Sequence, residues 1–118
     1  MILWNPGVAI GRGPACRRAA SKLKHTMILV QRRWFVPAAE LDAFIERWRN
    51  EIRPLIAQQP GCLRIEVYQS SVRGHWVTAV LWQDEASRMA ALAQLASTYE
   101  AFRAYERFEP EILTPFDP

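Results

Sequence analysis

The segment RIEVYQSSVRGHWVTAVLWQDE, Arg64 to Glu85, constrains the fold more than any other stretch of the chain. Apolar residues alternate with polar or aromatic ones on both sides of Ser-Ser-Val-Arg-Gly, the period-two pattern of a half-buried hairpin. With the turn centred near Val72, Leu63, Ile65 and Val67 share one face with Val77, Ala79 and Leu81. The other face then carries Arg64, Glu66, Tyr68, Trp76, Thr78, Val80 and Trp82. The aliphatic face suits packing against helices. The second face needs a different cover: water, a ligand or another copy of the chain.

The elements around the hairpin follow from changes of period. MILVQRRWFV, from Met27, is rich in strand formers and stops at Pro37, which cannot extend a ladder. From Ala38 the apolar residues Leu41, Phe44, Ile45, Trp48, Ile52, Leu55 and Ile56 recur at spacings of three and four, one helical stripe. Pro54 interrupts that stripe and predicts a kink, because it lacks an N–H and crowds the preceding turn. Pro60-Gly61 ends the helix. Asp84 is an N-cap for a second helix with Met89, Leu92, Ala93 and Ala96 on its apolar side. Ser97-Thr-Tyr-Glu100 matches a capping box and predicts a restart there. The prolines around EILT predict a short edge strand.

With 118 residues the chain has room for one ordinary domain. No apolar run approaches the roughly 18 residues that span a bilayer, so no membrane partner is expected. Cys16 and Cys62 form no paired motif, which predicts neither a zinc site nor a disulfide scaffold, and fits reduced thiols in the cytoplasm. The net charge of +3 is unevenly placed. Residues 1–26 hold five basic residues and no acid, whereas residues 27–118 hold ten arginines against twelve acids, a balance of −2. The basic character belongs to the tail, so a nucleic-acid partner is not expected. Residues 1–26 read as a mobile extension with Met27 as the natural start, and residues 27–118 as the domain.

Strand, helix, two strands, helix and strand is the β-α-β-β-α-β order of the α+β ferredoxin-like unit, with an antiparallel sheet. Both helices cover one sheet face. The bare face, with its exposed aromatics, calls for an interaction partner, and a second copy packed sheet to sheet about a two-fold axis fits best.

MILVQRRWFV, then QQPGCLRIEVYQS, then VTAVLWQDEASRMAAL resemble the antibiotic biosynthesis monooxygenase family of dimeric α/β barrels, over about residues 27–116. The Pro-Gly before the second strand and the Trp-x-Asp-Glu-Ala junction carry most of the likeness. The resemblance implies a ferredoxin-like protomer and a homodimer. It also implies small oxygenases of quinol or anthrone-like aromatics that need no metal or flavin, beside haem degraders and proteins of unknown role. The chain departs from the family at several positions. The helix His of many members is Ala91, and the third-strand Asn of some anthrone oxygenases is Thr78. The haem degraders' helix His and first-strand Asn have no counterpart. Trp82 carries over.

Candidate chemistry is sparse. Trp82 either stacks on a flat aromatic substrate or closes the strand–helix junction. His75 is either a base for a phenol or a solvated turn residue. Arg32 and Arg33 are neighbours in a strand, so they point to opposite faces. The inward one requires a carboxylate or an anionic ligand, and Glu66 is the natural partner on the bare face. Trp34, Trp48, Tyr68, Trp76, Tyr99 and Tyr105 could form a cage for a planar ligand; Trp48, on the helix stripe, reads as core, and Tyr68 and Trp76, nearly opposite each other, read as interface. The expectation is therefore a cofactor-independent monooxygenase of quinols or polycyclic phenols. His75 and Trp82 are its catalytic candidates, and Arg32, Arg33, Trp34, Trp82 and Tyr99 contact a hydrophobic aromatic small molecule. No metal or cofactor is expected. The alternative is a non-catalytic dimeric small-molecule binder or a vestigial relative.

Overall fold

Strands rich in β-branched and aromatic residues build one antiparallel sheet: β1 (Ile28–Phe35), β2 (Cys62–Gln69), β3 (His75–Trp82) and β4 (Glu106–Leu113), in the order β2-β3-β1-β4. The computed structural model describes residues 26–115. The reading of the first 26 residues as an extension, and Cys16, therefore fall almost wholly outside the described residues. Helix α1 occupies residues 41–57 and α2 spans Glu85–Phe102. Both cover the same sheet face, giving an α+β ferredoxin-like fold. Among the described residues, no helix is long and apolar enough to cross a membrane.

The α1 stripe holds as expected: Ile45, Trp48, Ile52 and Ile56 are buried, and only Leu55 stands out at 40% exposure. Pro54 acts differently from a simple kink. The helix widens into a π turn over Trp48–Ile52, and the Arg53 N–H bonds five residues back to the Trp48 carbonyl. The proline then sits at the start of the next α-helical turn, Arg53–Ala57, where its missing N–H costs little. The exposed Arg47 and Glu51 pair at 3.7 Å across one turn.

The second helix differs from expectation in two ways. It runs unbroken through Ser97, because tertiary packing of Leu95, Tyr99 and Phe102 outweighs the local capping signal. Its buried stripe is Ala91, Leu95 and Phe102, whereas Met89, Ala93 and Ala96 are exposed. Apolar residues lie all around this alanine-rich helix, so the sequence alone does not fix which side faces in. The N-cap is as expected: Asp84 accepts from the Ser87 N–H at 2.8 Å.

The hairpin register also corrects the sequence reading. The Ser70 N–H donates to the His75 carbonyl, so Ser71–Gly74 forms the loop, with Gly74 in the left-handed region at φ 81°. Ile65 therefore pairs with Val80 and Val67 with Thr78. That is one residue away from the expected register, and such a slip exchanges the faces of a whole strand. Ile65 and Val67 face the helices as predicted. Trp76, Thr78, Val80 and Trp82 join them, and Val77, Ala79 and Leu81 take the bare face beside Arg64, Glu66 and Tyr68. Trp76, assigned to an outer interface, is instead core, and Trp82 is buried with it, each 4% exposed. The last strand is longer than EILT. It runs eight residues and tolerates Pro110 because it is an edge strand, bulged between its pairings Gln31–Glu111 and Arg33–Arg107.

On the helix-facing side β1 sets Arg32 opposite Thr78 and Trp34 opposite Trp76. Trp34 is 2% exposed and packs edge-on against Phe102 and tilted against Phe44. Its indole N–H donates to Thr78 Oγ1 at 3.0 Å. Thr78→Val keeps the shape of the side chain but strands that buried donor. The expected loss is about 1–3 kcal/mol in denaturant unfolding. Trp34→Phe made in the same background should recover part of that loss, because no donor is then left unpaired.

Candidate functional site

The register that buries Trp82 also opens a narrow cleft between β1, β3 and α2. Val30 and Arg32 line it from β1, and Thr78, Val80 and Trp82 from β3. Arg88, Leu92, Leu95 and Tyr99 close it from α2, repeating at spacings of four, three and four on one side of the helix. Its volume is about 20 Å³, room for about one water. Its apolar walls are aliphatic apart from the Trp82 and Tyr99 rings.

The polar groups of the cleft share one character. Arg32 points inward, as a strand neighbour of an outward Arg33 must. Its Nη1 donates to Glu106 Oε2 at 2.8 Å, with both side chains 14% exposed. The inward guanidinium thus has the carboxylate it requires, supplied by the first residue of β4. Its charge also lies 4.1 Å from the centre of the Tyr99 ring, a cation–π stack. Burial pushes the Tyr99 phenol above the ordinary tyrosine range, and the Arg32 charge opposes that shift only in part. Tyr99 therefore stays a neutral phenol with a proton to donate. One lone pair of Thr78 Oγ1 is taken by Trp34, which leaves the Thr78 hydroxyl proton for the cleft. Arg88 is anchored to Glu85 through Nε at 2.9 Å and Nη2 at 2.5 Å. Glu85 and Glu106 stand behind the arginines and do not line the cleft. Its lining carries two cations, two hydroxyl donors and no carboxylate or imidazole among the described residues. Such an arrangement holds an oxyanion in an apolar surround.

Of the residues singled out in the sequence, Arg32, Trp82 and Tyr99 meet in this cleft. Three others do not. Trp34 lies beneath it in the aromatic core and touches it only through Thr78. Arg33 is on the opposite sheet face, where its Nη1 reaches Ser70 Oγ at 3.4 Å. Glu66, its expected partner, pairs instead with Arg64 at 3.2 Å. His75 starts β3 while Trp82 ends it, about 23 Å along the strand, and odd and even positions face opposite ways. The imidazole packs edge-on against Phe35, and its buried Nδ1 has no hydrogen-bond partner among the described residues. It cannot serve as base in the cleft. Arg88 was missed because the helix face was misjudged, and Thr78 because β3 was read one residue out of register. The signal for Arg88 was present in its spacing with Leu92, Leu95 and Tyr99.

Of the roomier depressions at the described surface, two stand out. One, about 420 Å³, lies at the β4 bulge, lined by Gln31, Arg33, Val77, Arg107 and Phe108 among others. The other, about 370 Å³, lies at the far end of the sheet against Phe35, Leu41, Arg73 and Trp76. Both are open to solvent, and neither combines enclosure with converging donors.

The fold recurs in several solved structures. SnoaB, a cofactor-independent oxygenase from Streptomyces nogalater, is 22% identical with a TM-score of 0.61, covering 80% of this chain and 96% of that one. A candidate monooxygenase from Shewanella loihica PV-4 is 24% identical with a TM-score of 0.63, covering 79% and 97%. HapK from Hahella chejuensis is 18% identical with a TM-score of 0.61, covering 78% and 94%. A search of curated protein sequences finds no match. The sequence profile of the antibiotic biosynthesis monooxygenase family matches residues 27–106, and the chain belongs to that family.

Proposed function

We propose that the protein is a cofactor-independent monooxygenase that oxidises a quinol or polycyclic phenol in the cleft between β3 and α2. The observation that carries this reading is the donor-only lining of an apolar cleft: Arg32, Tyr99 and Thr78 converge there, and the lining itself holds no carboxylate, Glu106 standing behind Arg32. The family and the likeness to an oxygenase such as SnoaB support it. Donors of this kind stabilise the ionised form of a bound phenol or anthrone and lower its pKa. With no base in the lining, the proton leaves to water. The substrate anion then passes one electron to dioxygen, and the resulting radical pair combines into a hydroperoxide at carbon. Loss of water converts the former methylene into a ketone, so one oxygen atom stays in the product and the other leaves as water. Arg32 holds the anion, Tyr99 and Thr78 donate to its oxygen, and Trp82 with Leu92 and Leu95 excludes bulk water. A polycyclic substrate needs several hundred Å³, so α2 side chains must swing outward to admit it.

One observation favours a second reading, a binder that does not turn over: no ionisable base faces the cleft. Dioxygen uptake with a panel of quinols and anthrones separates the two. Uptake that falls about a hundredfold in kcat/KM with Arg32→Leu, and recovers in part with Arg32→Lys, supports catalysis. Binding of the same compounds with no uptake above background supports the binder.

Tyr99 gives a pH test. Its folded pKa lies above the unfolded value, so its contribution to stability is complete below the ordinary tyrosine pKa and is lost as pH rises through the folded one. Alkaline difference spectra should show two late-ionising phenols in the native protein, Tyr99 and the Tyr105 that donates to Glu40, and only one of them should disappear in Tyr99→Phe.

The bare face is proposed to meet a second copy. Leu29, Leu81 and Leu113 form an apolar hollow there with Met27 and Pro115, and Tyr68, 41% exposed, lies opposite Val77 toward the hairpin end of the same face. Both signs of charge, Arg64 with Glu66 and Arg33 near Glu111, lie on the same face. Sedimentation velocity at micromolar concentration should give a dimer, and Leu81→Arg should shift it to monomer. A monomeric parent protein would refute the dimer.

A further inference from the structure

The geometry points to a carboxylate-binding clamp formed by Arg33 and Arg107 on the sheet face opposite the cleft, with a small organic monoacid as its ligand. β1 and β4 set these two arginines directly opposite each other. Side chains so paired share a face with Cβ atoms about 5 Å apart, and like charges there repel. The two charges go unanswered within the chain. Arg33 Nη1 reaches the Ser70 hydroxyl at 3.4 Å, a long and neutral contact. Arg107 Nη1 donates to the Ala104 and Glu106 carbonyls at 3.2 and 3.3 Å, again neutral acceptors. Neither guanidinium pairs with a carboxylate among the described residues. Arg107 also lies 5.3 Å from the centre of the Phe35 ring, which holds it on the side of β1 that carries Arg33.

The backbone makes room for a ligand at this pair. Between the pairings Arg33–Arg107 and Gln31–Glu111, β4 runs through three residues, Phe108, Glu109 and Pro110, against Arg32 alone on β1. Phe108 takes φ 65°, a left-handed conformation that is costly for a bulky side chain, and stands 79% exposed. The detour hollows the face into the depression of about 420 Å³, where both arginines meet Gln31, Val77 and Phe108. That volume suits a small molecule. Two guanidinium forks match the planar oxygens of a carboxylate. Glu109 and Glu111 line the same depression without pairing to either arginine, and their charges disfavour a phosphate dianion. Val77 and the Phe108 ring supply apolar surface for an aryl or alkyl body. The leucine hollow proposed for the second copy lies apart from this site. Leu29 is four residues from Arg33 on β1, about 13 Å along the strand.

Isothermal titration calorimetry of the whole chain with benzoate, its neutral isostere benzamide and inorganic phosphate tests this. Benzoate should bind at least about tenfold tighter than benzamide, and tighter than phosphate, through charge-assisted hydrogen bonds. Arg33→Gln and Arg107→Gln should each weaken benzoate by about fivefold or more and leave benzamide unchanged. Arg33→Lys should restore only part, because an ammonium lacks the fork. Glu111→Gln should tighten benzoate, because it removes a repelling charge. Neither arginine variant should lower the unfolding midpoint, since each removes one of two opposed like charges. Arg32 offers benzoate a second place in the cleft, so the variants decide where it sits. Affinity that survives in both Arg33→Gln and Arg107→Gln overturns the inference, as does equal binding of benzoate and benzamide. Absence of benzoate binding to the parent overturns it too. If the same two variants then turn a dimer into monomer in sedimentation, the arginines hold carboxylates of the second copy instead. The oxygenase reading uses the other sheet face and stands or falls separately.

Discussion

The pairing of β1 with β3 is the constraint on which the rest of the structure depends. It sets Trp34 opposite Trp76, Arg32 opposite Thr78, Val30 opposite Val80 and Ile28 opposite Trp82. A shift of one residue would turn Trp76, Thr78, Val80 and Trp82 to the other side of the sheet. It would put three large or polar side chains where the second face now offers Val77, Ala79 and Leu81. The hydrogen bond from Trp34 to Thr78 marks the register, because the indole N–H has that hydroxyl as its acceptor. Two glycines hold the ends of the arrangement. Gly74 closes the hairpin where a Cβ would strike the Phe35 ring at 2.7 Å, and Gly61 lies where a Cβ would meet Ser87 at 2.3 Å. Gly61 also accepts from the Gln83 N–H, tying the start of β2 to the end of β3 beneath the α2 N-terminus.

The same pairing creates the candidate site. Arg32 would be a costly buried charge if β4 did not begin with Glu106 beside it. The ion pair lets a cation face an apolar cleft, and Tyr99 stacks on the cation while remaining protonated. Thr78 contributes twice, as acceptor for the core tryptophan and as donor toward the cleft. Core packing and the proposed function thus meet on one residue, at the position where the family resemblance puts the Asn of some anthrone oxygenases. The substitution keeps a side-chain donor and gives up the amide's second hydrogen-bonding atom.

Much of the fold was legible in the sequence. The element order, the α1 stripe, the Asp84 cap, the opposite facing of Arg32 and Arg33 and the family all followed from periodicity, capping chemistry and the Trp-x-Asp-Glu-Ala junction. The site was less legible, for physical reasons. A hairpin face is decided by whether its loop centre falls on a residue or between two, and SSVRG leaves that open until Gly74 is seen to take a positive φ. The face of α2 was hidden because alanine and leucine surround the helix, so burial of Leu95 and Tyr99 depends on what the sheet offers. Pro54 signalled a disturbance of α1, but its form, a π turn, depends on the anchoring of Trp48 and Ile52 in the core. His75 drew attention as a rare imidazole, and only the three-dimensional placement removes it from the cleft.

A crystal structure of the protein with a bound peri-dihydroxyanthraquinone tests the central claim most directly. The account predicts the ring system between β3 and α2, flanked by Trp82 and Leu92. One ring oxygen should lie within hydrogen-bonding distance of Arg32, Tyr99 or Thr78. A ligand seated instead on the bare sheet face, or in the depression against Phe35, Leu41 and Trp76, would contradict it.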